Sequence, residues 1–538
     1  MQTNLGAASV IGRNADQGPD APPPVPTPEP ELSLVRPALY GLVATTAVVI
    51  GALYGGSSFE THLPGAWFFG SQGSHLGSLA TDSRNPSTIS LVLVYGGIIL
   101  LCRVWWGVMR QLRRHRGFPV KKVVAMAAIW VLPLLIAPPL FSRDVYSYAG
   151  QGELVSHNIS PYKYGPGVLG STPFSSLPDE VWNNTASPYG PVFLGIDGGL
   201  DDLSGHTILA DIVLLRLLEL AGVALMAAAT PTLARGLGRD PAEAVLLGAG
   251  SPLVMLTLIG GAHNDALMVG LLMAGLAIWK RAGPIPGIAV CAVAAGVKFP
   301  ALLGVVFIGW AWAGPGASFW RRVRQTSIAL TIAAAVLEVA GLITGLGWGW
   351  VKTSDAAGSS FTGITPVSSL SHLVSAIAGV VDLHLSVHTL HGVFSVVGLA
   401  VAGIIGIRLL LHSPEHGLVR GLGLTLLFLA LLGPVVWGWY VTWGVVVLAP
   451  YATGRLRTVL IVLVSYWSIV GATRVSAFFT LVDHGNQLLN LMLALLLAAI
   501  AIVPLGMFHH RKRRTPALPI DSGGPHRLPS QSPAPAAG

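Results

Sequence analysis

The residues best placed to do chemistry stand in one block, Ser142-Arg143-Asp144-Val145-Tyr146-Ser147-Tyr148, where a long apolar run ends and the longest polar loop begins. A carboxylate at the outer end of a helix, beside aromatic rings, is suited to take a proton from a hydroxyl as a general base. Arg143 allows two readings: it stays paired with Asp144, or it holds an anionic phosphate while Asp144 takes the proton. The loop runs on through Asn158-Ile159-Ser160-Pro161-Tyr162, Tyr164-Gly165-Pro166 and Ser187-Pro188-Tyr189-Gly190-Pro191. Proline fixes φ and glycine permits tight bends, so the loop is expected to be ordered. Its tyrosines, with Tyr146, Tyr148 and Tyr189 as the candidates, either anchor the loop at a membrane interface or stack on a sugar.

Three further groups join this one. Gly260-Gly261-Ala262-His263-Asn264-Asp265 is a short turn between apolar runs. His263, Asn264 and Asp265 together suit a sugar, a phosphate or a metal, and Asn264 or Asp265 equally suits the cap of the next helix. Lys298, in Val297-Lys298-Phe299-Pro300, either snorkels to the surface or contacts a phosphate. Trp439 and Tyr440 belong to an aromatic knot, Trp437-Gly438-Trp439-Tyr440-Val441-Thr442-Trp443, which is an interfacial anchor or part of a groove for a lipid substrate. Arg474 is a further cation on the same face.

The elements that must position these residues are membrane helices. The chain has 538 residues, of which 52% are hydrophobic and 10% charged, and its mean hydropathy is +0.65. A soluble domain carries about a quarter charged residues, so this is an all-α polytopic membrane protein. Apolar runs of about 20 residues cross a bilayer. They lie near 37–55, 88–109, 123–141, 207–230, 242–260, 266–281, 325–345, 386–408, 420–437, 440–453, 457–473 and 487–508. Two apolar pieces of about 14 residues each, within 285–314, meet at Lys298 and read as short or re-entrant helices. The expected total is about twelve to fourteen spans.

Basic loops set the orientation. Arg110, Arg113, Arg114, Arg116, Lys121 and Lys122 fall on one side with Arg321, Arg322 and Arg324 and with Arg511–Arg514. That side is cytoplasmic by the positive-inside rule. Both termini are then cytoplasmic, and loops 56–87, 142–206 and 346–385 are extracytoplasmic. Residues 1–35 form a Pro-rich disordered tail, 36–509 the membrane domain, and 510–538 a basic, then disordered tail. Inside the fourth run, Arg216 and Glu219 share a helix face and read as a buried ion pair; Glu338 is assigned no role.

Two cysteines, Cys102 and Cys291, both in apolar segments, exclude a disulfide framework and a Cys-x-x-Cys metal site. No cofactor or metal site is expected, with a divalent-cation requirement left open. No Gly-rich nucleotide loop or His-Glu-x-x-His motif occurs. The positive charge of +8 lies in short loops, not in a nucleic-acid patch.

At these residues the chain resembles the GT-C superfamily of polytopic glycosyltransferases. More narrowly, it resembles the actinobacterial polyprenol-phosphomannose-dependent α-1,6-mannosyltransferases, closest to the core-initiating type. The matching pieces are Leu132-Pro133-Leu134-Leu135-Ile136-Ala137-Pro138-Pro139 running into Ser142–Tyr148, Ser160-Pro161-Tyr162 with Gly165-Pro166, Ser187–Pro191, Gly261–Met268 and Val297–Leu303. One departure is Gly438, where the family pattern Pro-Trp-Tyr-x-x-Trp has proline.

The resemblance implies a GT-C-like bundle that moves mannose from polyprenyl-phosphomannose to a mannosylated lipid acceptor of the lipomannan and lipoarabinomannan core. The linkage inverts, and the reaction runs on the extracytoplasmic face. It makes Asp144 the base, Arg143 and Lys298 phosphate contacts, and His263-Asn264-Asp265 neighbours of the sugar. Glu60 is the next candidate base. The competing reading is a transporter or flippase with Arg216, Glu219 and Glu338 as a relay.

Overall fold

The computed structural model describes residues 32–61, 67, 88–353, 366–380 and 382–471. By internal contacts the chain divides into residues 1–33 and 34–538, and only the second unit is described below. Its described elements are helices joined by short connections. Five are long and apolar enough to cross a membrane alone: α1 (Val35–Gly55), α2 (Thr88–Leu112), α6 (Ile208–Gly236), α11 (Phe319–Thr344) and α13 (Val387–Leu411). The other expected spans are shorter or broken pieces. The run expected at 487–508, and Arg474, lie outside the described residues.

Two breaks shape the centre. Helix α3 (Val120–Ile136) stops because Pro138 and Pro139 follow, and Ala137 is already extended, with ψ of 154°. The chain then turns through Phe141 at φ +67°. A bulky residue rarely adopts that conformation. It is held by Phe141 N–H donating to the Phe59 carbonyl at 2.8 Å and by edge-on packing of the two rings. Helix α4 (Asp144–Ser156) starts directly afterwards, so Asp144 is its first residue.

The second break falls in the run expected to span 242–260. It is α7 (Pro241–Leu247) followed by a π-helical stretch, Val254–Gly260. That stretch meets α8 (Asp265–Ala282) at a bend of 116°. The turn between them needs Ala262 at φ +52°. A Cβ on Gly261 would lie 2.6 Å from the His263 ring, so only glycine lets the imidazole fold back there.

Loop 142–206 is largely helical. Helix α4 packs along α5 (Pro191–Ser204), so closely that a Cβ on Gly152 would come within 2.9 Å of the Asp197 carbonyl. As the sequence predicts, 285–314 is two short helices, α9 (Pro284–Val297) and α10 (Leu302–Trp312), with Lys298 at the joint. Loop 346–385 contains a helix, α12 (Pro366–Val380). Helices α14 (Leu418–Leu432), α15 (Val441–Leu448) and α16 (Gly454–Val470) complete the described chain.

Candidate active site

Asp144 and the 263–265 turn face each other although 119 to 121 positions separate them. Asp144 Oδ2 lies 3.7 Å from His263 Nε2. His263 Nδ1 is 2.6 Å from the Thr257 carbonyl. A carbonyl only accepts, so Nδ1 carries the hydrogen and Nε2 is turned to the carboxylate. The imidazole stacks on Trp439 at 3.7 Å, and Trp439 on Trp437 at 4.9 Å. Asp144 keeps 19% of its side-chain surface open. Burial nevertheless pushes its carboxyl up to about 7, against the opposing pull of Lys298. It sits where a group must be to exchange protons near neutrality.

Lys298 is held by Asp265, with Nζ 2.8 and 3.0 Å from the two carboxylate oxygens. The Trp443 indole N–H donates to the same carboxylate at 2.5 Å. The ammonium also lies over the rings of Tyr440, Tyr189 and Trp443, at 4.7, 5.6 and 5.7 Å from their centres. This is an aromatic cage around a cation. Lys298 is therefore paired, and it does not simply snorkel.

Tyr189 owes its place to Ser187, whose hydroxyl donates to Gln151 Oε1 of α4 at 2.8 Å and accepts from Tyr189 N–H at 3.3 Å. The rings of Tyr148 and Tyr189 meet edge-on at 5.3 Å. Burial raises both phenols well above their ordinary range, so they stay neutral. Gly190 lies against Gly296, one helix over: a Cβ there would meet the Gly296 carbonyl at 2.3 Å.

Asp144, Tyr148, Tyr189, His263, Asp265, Lys298, Trp439 and Tyr440 thus share one neighbourhood. Tyr146 is fully buried, with Arg216 and Arg143 as its charged neighbours. Arg143 makes no ion pair with Asp144 among the described residues, and its buried Nε has no hydrogen-bond partner there. Asn264 precedes α8 without capping it: both amide atoms are buried and unpartnered. Glu60 is buried, at 5% exposed.

The expected Arg216–Glu219 pair does not form. Arg216 donates to the carbonyls of Leu135 (3.3 Å), Ala137 and Gly260 (3.4 Å). Pro139 has no N–H to give the Leu135 carbonyl, so the guanidinium fills that gap. Glu219 accepts from Leu267 N–H in the first turn of α8 at 3.1 Å. Spacing of three on one helix pointed to a pair; the partners are instead freed backbone groups on neighbouring elements. Glu338 accepts from the Trp348 indole at 2.5 Å. These three ionisable groups are each held locally, and the relay expected of a transporter is not built from them.

The sequence is similar to known proteins over most of its length. Residues 38–314 match the model of the alpha-(1->6)-mannopyranosyltransferase N-terminal domain, and 367–507 match the MptB C-terminal domain. A probable alpha-(1->6)-mannopyranosyltransferase of Mycolicibacterium smegmatis is 32% identical over 94% of this chain and 93% of its own. Alpha-(1->6)-mannopyranosyltransferase A of Mycobacterium tuberculosis is 30% identical over 71% of this chain and 75% of its own. Alpha-(1->6)-mannopyranosyltransferase B of Corynebacterium glutamicum is 29% identical over 69% of this chain and 66% of its own. The matched residues include Asp144, His263, Asp265, Lys298, Trp439 and Tyr440, and the chain belongs to the alpha-(1->6)-mannopyranosyltransferase family.

Proposed function

We propose that this protein transfers mannose from polyprenyl-phosphomannose to a hydroxyl of a mannosylated lipid acceptor, giving an α-1,6 linkage on the extracytoplasmic face. Mannosyl transfer follows from the family. The observation that carries the rest is the meeting of one near-neutral carboxylate, Asp144, with one caged ammonium, Lys298. The absence of a nucleotide motif fits a donor that is itself a lipid, reached from the membrane. The runs of Arg and Lys on the opposite side support the outward orientation and cytoplasmic termini. The catalytic region is 36–509, with 1–35 and 510–538 as tails.

In this reading the acceptor oxygen attacks the anomeric carbon as Asp144 takes its proton. The bond from that carbon to the phosphate oxygen breaks on the opposite face, so the β-linked donor gives an α product. The leaving polyprenyl phosphate is a weak base and needs positive charge more than a proton. Lys298 and Arg143 supply it. Asn264, with its unpartnered amide, contacts sugar hydroxyls beside His263, and Tyr148, Tyr189, Trp439 and Tyr440 form the stacking walls.

The test is purified protein with radiolabelled polyprenyl-phosphomannose and a mannosylated lipid. Transfer of label to the lipid with α-1,6 linkage is expected. Intact donor after prolonged incubation, or label carried across a vesicle wall without a new bond, would overturn the reading.

A further inference from the structure

At the end of α4 remote from Asp144, four side chains that commonly ligate metals converge. Glu153 and His157 stand four apart on α4 and share a face. Asp201 is in the last turn of α5, and His206 follows it in the turn to α6. That turn is built for the approach. Gly205 and His206 are both left-handed, at φ +63° and +56°, which folds the His206 ring back over the ends of both helices. His206 Nδ1 lies 2.8 Å from Asp201 Oδ2 and 3.1 Å from Glu153 Oε2. The imidazole rings of His157 and His206 are 5.2 Å apart.

Hydrogen bonding alone does not balance this cluster. Nδ1 of an imidazole offers one hydrogen, and here two carboxylate oxygens compete for it. Behind them the excess of negative groups grows. Asp201 Oδ2 also accepts from the Ser156 hydroxyl at 2.7 Å, but among the described residues Asp201 Oδ1 is buried with no hydrogen-bond partner, and so are both oxygens of Asp211 and both of Asp197. All three aspartates have no exposed surface. The charged neighbours of Asp211 are Asp201, Glu153 and His206, and those of Asp197 are Asp211, Asp201 and Glu219. Buried carboxylates in such number call for a cation.

We propose that Glu153, His157, Asp201 and His206 form a divalent-metal site of the zinc type, which ties the end of α4 to the end of α5. Two imidazoles with two carboxylates suit zinc and its transition-metal neighbours; calcium and magnesium prefer oxygen alone. The ligand atoms of Glu153, His157 and His206 lie within 4.8 Å of one another. A tetrahedral ion with bonds of about 2 Å sets its ligands roughly 3.3 Å apart. The proposed ion needs the two imidazoles to rotate, His157 away from the Glu153 carbonyl at 3.0 Å; both rings are open to solvent, at 50% and 46% exposed, so an ion has a way in. Glu153 and Asp201 balance the ion's two charges, and Asp211 and Asp197 lie behind the ligands. The ligands come from sequence positions 153, 157, 201 and 206, a spacing no linear motif reveals, which is why no metal is expected from the sequence. The same helix begins with Asp144, so the ion fixes the far end of the element that presents the base.

The test uses the tag-free, chelator-treated full chain in nanodiscs, titrated with Co²⁺ and followed by visible absorption. One equivalent is expected to give the intense spectrum of a four-coordinate ion, erased by Zn²⁺. The His157→Ala/His206→Asn variant should lose the spectrum while keeping its gel-filtration profile; both side chains are half-exposed, and asparagine tolerates the left-handed turn. Zn²⁺ should raise the Tm of the wild type by several degrees and leave that of the variant unmoved. Should the double variant aggregate, His157→Ala alone must weaken Co²⁺ binding at least tenfold. A pale, hydrated-ion spectrum from the wild type, or equal binding by the variants, would overturn the site and leave a charged hydrogen-bond cluster.

Discussion

His263 turns Nε2 to Asp144 at 3.7 Å because its Nδ1 is committed to the Thr257 carbonyl at 2.6 Å. The imidazole is thereby fixed in one tautomer and one orientation beside the carboxylate. Among the described residues Asp144 keeps an open edge and forms no ion pair with Lys or Arg, which suits the proposed role of proton acceptor.

Asp144→Asn keeps the shape of the side chain and removes its basicity. Mannosyl transfer should fall by about 10²–10⁴-fold with the protein still folded in membranes. The check is initial rate per milligram of monodisperse protein; a near-normal rate removes Asp144 from the base role and turns attention to Glu60.

The pH dependence follows from burial. Asp144 is raised to about 7, and a base acts only when ionised. Activity should therefore rise with pH through about 7 and level off above it, falling about tenfold per unit on the acid side. A kcat/KM profile with its acid limb near the ordinary aspartate value of about 4 would contradict this.

Lys298→Met leaves the Asp265 carboxylate buried without its partner. The expected loss of stability is about 3–5 kcal/mol. Asp265→Asn combined with Lys298→Met should recover most of that stability yet stay inactive, because the ammonium is still gone. Thermal unfolding and label transfer, measured on all three variants, separate the two effects.

Arg216→Leu orphans two carbonyls, of Leu135 and Ala137, and takes one of two donors from that of Gly260, which keeps Leu140 N–H. Each unsatisfied buried group costs about 1–3 kcal/mol, so this variant should lose both yield and Tm. Arg216→Lys restores charge without the planar fork. It should fold better than the leucine variant, with reduced kcat, since these bonds hold the start of the chain from Ala137 to Asp144, beside those of Leu140 and Phe141. Equal Tm for Arg216→Leu and wild type would rule out the tether.

Much of the site was legible from residue type. Asp144, Lys298 and the 263–265 turn stood out because charged groups are costly beside apolar runs. Span count was less legible: hydropathy sees an apolar run at 242–260, but not that Gly248 and Ser251 interrupt it between α7 and the π-helical stretch. Partners were least legible. Lys298 finds Asp265, Arg216 finds backbone carbonyls, one of them freed by a proline, and Trp443 reaches Asp265 across 178 positions. Each pairing depends on how helices pack, which periodicity along one helix does not encode.

The caged lysine has a consequence for how a turnover ends. Asp144, Asp265, Lys298 and Arg143 together carry no net charge when both carboxylates are ionised. In the proposed reaction Asp144 gains a proton, so the neighbourhood carries one positive charge when polyprenyl phosphate has just formed. Once Asp144 passes that proton to water, that charge is lost beside an anionic product. On this reading proton loss loosens the lipid, and the bound phosphate is held longest in acid.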